Sequence, residues 1–252
     1  MTEDEVAAFV ASMPADYRTA FDPDAMRAHA EIVSRRIGTN THVEMWRELD
    51  DRSVAICVVA EDRAGLLSAI SSALVASQID VVSAHAYIRK RDSSTEAIDL
   101  LWIRRLPKEN GQITSLRARD IVGVADAIER AVKRAAQGPF AVITPRPPAP
   151  GASARIRFET DEKTGATTLT VEAVDRPGLL LSVTQALFRA GLQITGLSAR
   201  TEKGHAVDRF QLAESDGGTL KPERLLVLQT AILGALDDGV PQTLVIPKRG
   251  VG

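Results

Sequence analysis

The chain has 252 residues, of which 44% are hydrophobic and 25% charged, and its 31 Lys and Arg nearly balance its 33 Asp and Glu. This composition is typical of a soluble globular protein and excludes disordered tails and fibrous proteins. A net charge of −2 provides no basic field that would attract nucleic acid or anionic lipid, so we predict neither as a partner. The length suits two domains of ordinary size.

The single cysteine, Cys57, lies in an apolar, β-rich run. One cysteine cannot form an internal disulfide, which fits a reducing compartment. Its apolar neighbours favour a buried hydrophobic role over a nucleophile. The first ten residues are acidic where a signal peptide is basic, and no apolar run reaches the roughly 18 residues of a membrane span. We therefore expect a cytoplasmic protein without a membrane partner.

Residues 1–48 are predicted to form a helical segment that docks on the rest of the chain. Asp22 is suited to cap a helix whose first residue is Pro23, and Gly38 is suited to end it. The apolar positions that would form its buried face are Met26, Ala30, Val33 and Ile37. The spaced pair of Asp22 and Asp24 is interpreted as helix capping rather than metal binding, and we predict neither a metal nor a cofactor.

Two internal segments repeat each other. Residues 61–88 align without gaps with residues 174–201, with eight identical positions among 28, and the match resumes at 97–99 against 206–208. The chain therefore carries two copies of one module, which we place at residues 49–144 and 155–249. The boundary between them, at about 138–154, is rich in proline and is interpreted as a semi-rigid linker.

Each copy is predicted to contain a strand, a helix, a hairpin, a second helix and a last short strand. In the first copy these are a strand over 54–59, a helix starting near Gly65, a hairpin of 81–88 and 96–103, a helix ending at Gly138 and a strand over 140–143. In the second copy they are a strand over 167–173, a helix starting near Gly178, a hairpin of 193–201 and 206–212, a helix over 222–236 and a strand over 243–246. This order, βαββαβ, is the ferredoxin-like α+β arrangement, with both helices on one face of an antiparallel sheet.

The turn Asp-Arg-(Ala/Pro)-Gly-Leu-Leu between strand and helix, within this order of elements, resembles the ACT domain. ACT domains are small ligand-binding regulatory modules of amino-acid metabolism. More closely, the chain resembles the C-terminal regulatory region of the bifunctional uridylyltransferase/uridylyl-removing enzymes that act on the nitrogen-regulatory PII protein. The segments that carry this resemblance are 174–180, 206–210 and the strand-like 154–158, with 16–17 and 28–30 for the helical segment that precedes the paired modules. It covers nearly the whole chain and is weaker before residue 50.

The catalytic motifs of that family do not occur in this sequence. Its nucleotidyltransferase domain carries a Gly-Ser turn followed by paired aspartates, and its hydrolase domain carries a His-Asp metal pair; this chain has neither. The resemblance therefore implies a sensor without the catalyst, and not an enzyme. It implies a regulator that binds a small amino acid, with glutamine favoured by the resemblance alone, and that acts on a protein partner or as a homodimer. The alternative is a scaffold that docks a partner enzyme and binds no ligand.

The two turns are the candidate binding sites. Backbone amides at a helix N-terminus favour a carboxylate, such as that of an amino acid. Asp62 and Asp175 suit either capping of the helix or acceptance of a hydrogen bond from a ligand ammonium, and both interpretations stand. The resemblance implies that the start of the next strand contributes from the adjacent module. The predicted ligand-binding residues are Asp175, Arg176, Pro177, Gly178, Leu179, Leu180, Ile194 and Thr195 in the second copy, and Asp62, Arg63, Ala64, Gly65, Leu66, Val81 and Val82 in the first.

Other polar residues near the turns receive structural interpretations. Asp99 and Asp208 lie in β-rich runs and are interpreted as solvent-facing strand residues rather than ligand contacts. Arg63 and Arg176 are interpreted as surface or interface ion-pair partners rather than substrate clamps. Residues 191–198 have the glycine spacing of a phosphate-binding loop but lack its lysine, so they are interpreted as a helix C-cap followed by a strand.

Overall fold

The structure is a computed structural model that describes residues 1–38, 40–49, 51–91, 94–108, 110–137 and 154–237. The helices in these ranges are α1 (Glu3–Ser12), α2 (Tyr17–Ala20), α3 (Pro23–Arg35), α4 (Leu66–Ala76), α5 (Ala118–Gln137), α6 (Leu179–Arg189) and α7 (Pro222–Asp237). The strands are β1 (His42–Glu48), β2 (Val54–Glu61), β3 (Ile79–Arg91), β4 (Ser94–Arg105), β5 (Ala154–Thr160), β6 (Thr167–Val174), β7 (Leu192–Glu202) and β8 (His205–Glu214). Each of these helices is too short or too polar to cross a membrane.

The eight strands of the described ranges form one antiparallel sheet, in the order β1-β2-β4-β3-β7-β8-β6-β5. The first half of this order belongs to the first copy of the repeat, and the second half mirrors it. The halves meet where β3 pairs with β7, with Ala84 opposite Ala199 and Ala86 opposite Leu197. The Ser83 hydroxyl also donates to the Ala199 carbonyl at 2.8 Å. The two predicted ferredoxin-like units are therefore joined edge to edge within one chain.

Helices α4, α5, α6 and α7 pack on one face of the sheet and share a single hydrophobic core. Each unit packs its own two helices together, and α4 also packs on α6 across the midline. Residues three and four apart fall on one side of a helix, which is how the apolar spacing of α4 and α6 produces this contact. Ile70 and Leu74 of α4, and Val183 and Leu187 of α6, are fully buried. The boundary between the units is thus part of the core.

Helices α1, α2 and α3 pack on the other face of the first unit. Tyr17, Ile32 and Cys57 lie in the smaller core between these helices and the sheet. Cys57 is fully buried, and burial raises the pKa of its thiol, so the predicted hydrophobic role is confirmed. His29 is also buried: its Nδ1 lies 2.9 Å from the Tyr17 hydroxyl, and desolvation lowers the pKa of His29 to about 3, which keeps the ring neutral.

Helix α3 begins as predicted but ends earlier. Asp22 accepts a hydrogen bond from the Ala25 amide at 2.7 Å, and Pro23 occupies the first helical position, so the capping interpretation is confirmed. The last position of the predicted buried stripe is wrong, because Ile37 is 81% exposed. The helix ends at Arg35, so Ile37 lies beyond the helical face that carries the stripe.

Each unit begins with a strand that precedes the predicted order of elements. β1 pairs antiparallel with β2, and β5 with β6, so each takes an edge position in the sheet. β1 falls within the segment predicted to be helical, and Val43 and Met45 explain why it is a strand, since both pack against the core at alternate positions. Over the described residues each unit therefore has the order ββαββα. The predicted closing strands, 140–143 and 243–246, lie outside the described residues.

Candidate ligand sites at the interface of the two units

Both Asp-Arg-x-Gly turns connect a central strand to the first helix of their unit. Gly65 has a φ of +79° and Gly178 a φ of +82°. A residue with a Cβ pays roughly 1–2 kcal/mol for this left-handed conformation, whereas glycine does not. The turn allows the helix to begin at the next residue, Leu66 or Leu179. The glycine of the motif is therefore required by the geometry of the turn.

The first turns of α4 and α6 have backbone amides without a protein acceptor. Within the described ranges, the amides of residues 67–68 in α4 and 180–181 in α6 donate to no backbone or side-chain oxygen. Neither Asp62 nor Asp175 accepts from them, so the interpretation of these aspartates as helix caps is wrong. The Asp62 carboxylate is directed instead to Gln193 of the other unit, at 2.8 Å. Two helix N-termini are thus left with amides that suit a carboxylate.

Each turn faces the other unit across a cavity. Site one lies against the first turn and is lined by Asp62, Arg63, Gly65, Leu66, Leu67, Ser68, Ala86, Tyr87, Ile88, Ala97 and Asp99, with Thr184, Phe188, Leu192, Ile194 and Thr195 from the second unit. Site two lies against the second turn and is lined by Asp175, Arg176, Gly178, Leu179, Leu180, Leu181, Ala199, Arg200, Thr201, Ala206 and Asp208, with Ser71, Leu74, Val75, Ile79, Asp80, Val81, Val82 and Ser83 from the first unit. Each site therefore combines the start of one central helix with the end of the other.

The structure brings most of the predicted binding residues together, with the two copies exchanged. The second turn meets Val81 and Val82 of the first copy in site two, and the first turn meets Ile194 and Thr195 of the second copy in site one. The antiparallel pairing of β3 with β7 places the start of each strand beside the opposite turn. Pro177 and Ala64 belong to the turns but line neither cavity.

Asp99 and Asp208 occupy equivalent positions in the two sites. Both are buried, at 3% and 4% exposure, so the interpretation of these residues as solvent-facing is wrong. They lie on the face of the sheet that the helices cover, where Asp208 shares its side of β8 with Ala206 and Phe210. Desolvation raises the pKa of each carboxyl to about 7, and the charge of the nearby turn aspartate adds to the increase.

Buried polar atoms without a hydrogen-bond partner concentrate in the two sites. Of six such side-chain atoms among the described residues, four belong to residues that line the sites. They are Asp99 Oδ2, Ser68 Oγ and Arg63 Nε in site one and Ser71 Oγ in site two. A buried polar atom left unpaired costs about 1–3 kcal/mol. A polar ligand that paired with these atoms would recover part of that cost.

The two motif arginines fasten each turn to the second helix of its own unit. Arg63 Nη2 donates to the Val132 carbonyl at 2.7 Å, and Arg176 Nη2 donates to the Leu236 carbonyl at 2.9 Å. Leu236 lies in the last turn of α7, where carbonyls lack an intrahelical donor and attract cations. Val132 lies one turn earlier in α5, near the C-terminal end whose dipole favours a cation. Both arginines therefore have a positioning role that the ion-pair interpretation missed.

Each cavity has a volume of about 30 Å³. A cavity of this size holds about two water molecules. A free amino acid is larger, so the lining residues must move to admit it. Within the described ranges, no group of three or more His, Cys, Asp or Glu side chains could hold a metal ion.

Comparison with known proteins gives one consistent group of relatives. No protein-family model matches the chain. A protein of Gluconobacter oxydans is 29% identical over 234 residues, which are 87% of this chain and 24% of that protein. A protein of Caulobacter vibrioides is 25% identical over 94% of this chain and 25% of that protein. Both are named bifunctional uridylyltransferase/uridylyl-removing enzyme. The chain is similar to one part of these enzymes.

A third protein with the name bifunctional uridylyltransferase/uridylyl-removing enzyme also matches the chain. The enzyme of Streptomyces coelicolor is 29% identical over 66% of this chain and 20% of its own length. The chain thus spans about a quarter of the length of these bifunctional enzymes or less, and the resemblance inferred from the Asp-Arg-x-Gly turns is confirmed. An aspartate kinase from Synechocystis aligns with 77% of this chain and 41% of its own length, at 11% identity and a TM-score of 0.22.

Proposed function

We propose that the protein is a regulatory sensor, and not an enzyme, that binds a free amino acid at the interface of its two units. The observation that carries this proposal is the pairing, in one cavity, of unbonded helix amides with a buried carboxylate. In site two, these groups are the amides of residues 180–181 and the side chain of Asp208. A zwitterion offers a carboxylate to the amides and an ammonium to the aspartate, so it satisfies both at once.

The remaining lining of site two would orient the ligand. Asp175, at the turn, is a second acceptor for the ammonium. The start of β3, at Val81 and Val82, and the end of α4, at Val75, would surround the ligand side chain. Glutamine is the ligand we favour. The support for glutamine is the similarity of the chain to bifunctional uridylyltransferase/uridylyl-removing enzymes, which the resemblance associates with nitrogen regulation.

Binding would change the relation between the two units. A cavity of about 30 Å³ must widen to admit an amino acid. Because α4, α6, β3 and β7 form both the cavity and the contact between the units, widening it shifts one unit against the other. A ligand with higher affinity for the open arrangement would favour that arrangement, and a protein partner that distinguishes the two would sense the ligand.

Thermal unfolding in the presence of each of the twenty amino acids tests the proposal. A ligand at a hundredfold excess over its Kd adds about 2.7 kcal/mol of stability, which raises Tm by about 5–10 °C for a protein of this size. Gly178→Ala should abolish the shift, because the new methyl group lies at the helix N-terminus where the carboxylate binds.

Gly191→Ala is the matched control for the Gly178 variant. Gly191 also has a positive φ, of +72°, and a Cβ there meets no atom within 4 Å. This variant carries the same backbone strain outside the cavity and should keep the shift. No shift with any amino acid would refute the sensor.

One observation favours the alternative, a scaffold without a ligand. Arg157, Glu172 and Arg209 project from the sheet face of the second unit opposite the helices, and all three are exposed. A charged face of this kind can attract a protein partner of complementary charge. The scaffold and the sensor differ in the same thermal experiment, because a scaffold responds to its partner and to no amino acid.

A further inference from the structure

The two sites are related by the repeat, but two of the side chains that the opposite unit places beside the turn differ between them. In site one, the ring of Phe188 lies directly against the first turn. A Cβ placed on Gly65 would be 2.7 Å from Phe188 Cε2 and 2.8 Å from Cδ2. The ring therefore fills space beside the start of α4 in the lining of site one.

A second side chain, that of Gln193, forms a hydrogen bond with the Asp62 carboxylate in site one. Gln193 Nε2 donates to Asp62 Oδ2 at 2.8 Å, from the start of β7 in the other unit. Asp62 is the residue in site one that corresponds to Asp175 in site two. The turn carboxylate, one of the two acceptors that a ligand ammonium would have in site one, is thus already bonded to an amide group of the chain.

Site two has different residues at both equivalent positions. The repeat aligns Phe188 with Val75 and Gln193 with Asp80. Val75 is smaller than the ring, and Asp80 accepts from Arg104 Nη2 at 3.0 Å instead of donating to the turn. In the described part of the chain the Asp175 carboxylate accepts no side-chain hydrogen bond. Site two therefore has its turn carboxylate available to a ligand, whereas site one does not.

Resting on the proposed function, we infer that site two is the only amino-acid site of the pair and that Phe188 and Gln193 close site one as a built-in occupant. The ring takes the place of a ligand side chain, and the Gln193 amide takes the place of its ammonium. Site one then holds the units together while site two responds to the ligand.

The closed site keeps the polar groups that a ligand would need. Asp99 Oδ2 and Ser68 Oγ remain buried and unpaired there, because the ring and the amide reach neither of them. Removing the two closing side chains should therefore convert site one into a second binding site.

Isothermal titration with glutamine, or with the amino acid that gives the largest thermal shift, tests this inference by its stoichiometry. We expect one ligand per wild-type chain and two per chain for Phe188→Val/Gln193→Ala. The reciprocal variant Val75→Phe places the ring in site two and should weaken binding at least tenfold. Two ligands per wild-type chain, or one for a folded double variant, would overturn the inference.

The binding affinities of two nearly isosteric variants provide a second test, because these substitutions do not alter the packing. Asp208→Asn should weaken binding to the wild-type chain at least tenfold, and Asp99→Asn should leave its affinity within twofold. The reverse pattern would assign the ligand to site one and refute the inference while leaving the sensor intact. Absence of binding by every chain would refute the proposed function, and the inference with it.

Discussion

Replacing Asp208 with asparagine isolates the cost of a buried carboxylate in site two. Burial, with a smaller contribution from Asp175, raises the pKa of Asp208 to about 7 from an ordinary value of 3.8. A carboxyl with a higher pKa in the folded chain binds its proton more tightly there, so stability falls as the pH rises from about 4 to about 7 and stays lower above that. At about 1.4 kcal/mol per pH unit, the loss at pH 8 is at most about 4 kcal/mol.

Asp208→Asn removes the ionisation and keeps the shape of the side chain. Urea or thermal unfolding should show the variant as the more stable chain by about 1–2 kcal/mol already at pH 5, because at that pH the carboxyl has lost its proton in the unfolded chain and kept it in the folded one. At pH 8 the variant should be more stable by about 2–4 kcal/mol, or about 5–15 °C in Tm. Asp126→Asn, the same change at an exposed position of α5, is the matched control and should show no such difference. A variant that gains no stability between pH 5 and pH 8 would refute the reasoning.

Three further predictions concern the turns and the sites. At pH 7, amino-acid binding should release protons, because the ligand ammonium lowers the pKa of Asp208. The buffer takes up these protons, so the calorimetric heat of binding should depend on the ionisation enthalpy of the buffer, and a heat that is the same in all buffers would contradict the prediction. Arg176→Met should lower the free energy of unfolding by about 1–2 kcal/mol, because the Leu236 carbonyl loses a donor, and an unchanged urea midpoint would contradict it. Gly65→Ala should destabilise the chain more than Gly191→Ala, because both have a positive φ but only the first has a ring 2.7 Å from the new Cβ; equal changes in Tm would contradict it.

The turns and the helices that follow them could be predicted from sequence because their signals are local. Glycine at 65 and 178 meets a requirement of backbone geometry, and the apolar spacing that follows specifies the buried side of α4 and α6. The repeat placed the same elements twice. Only the resemblance predicted that the adjacent unit contributes to each site through Val81–Val82 or Ile194–Thr195. No local sequence signal specifies which strands become neighbours in the sheet.

The buried aspartates show what the sequence could and could not reveal. In β8, Asp208 lies at alternate positions with the apolar Ala206, Phe210 and Leu212, so strand periodicity could have predicted its burial. Asp99 gives no such signal, because β4 has apolar residues on both sides, and both faces are covered once α1 to α3 are in place. The contact between Phe188 and Gly65 depends on how α4 packs on α6, which a sequence pattern does not specify.

The role of the motif arginines was also beyond a local pattern. Arg63 and Arg176 have no acidic partner that sequence spacing identifies, and their carbonyl acceptors are more than fifty residues away along the chain, at Val132 and Leu236. Only the packing of the second helix against the first brings the C-terminal part of the second helix to the Asp-Arg turn.

A crystal structure of the protein grown with saturating glutamine tests the central claim most directly. The account predicts one glutamine per chain in site two, with its carboxylate within about 3 Å of the amides of residues 180–181 and its ammonium against Asp208. It also predicts that α4 and α6 lie farther apart around that site than in the present structure. Glutamine bound elsewhere on the chain, or a site two that stays closed at saturating ligand, would contradict the account.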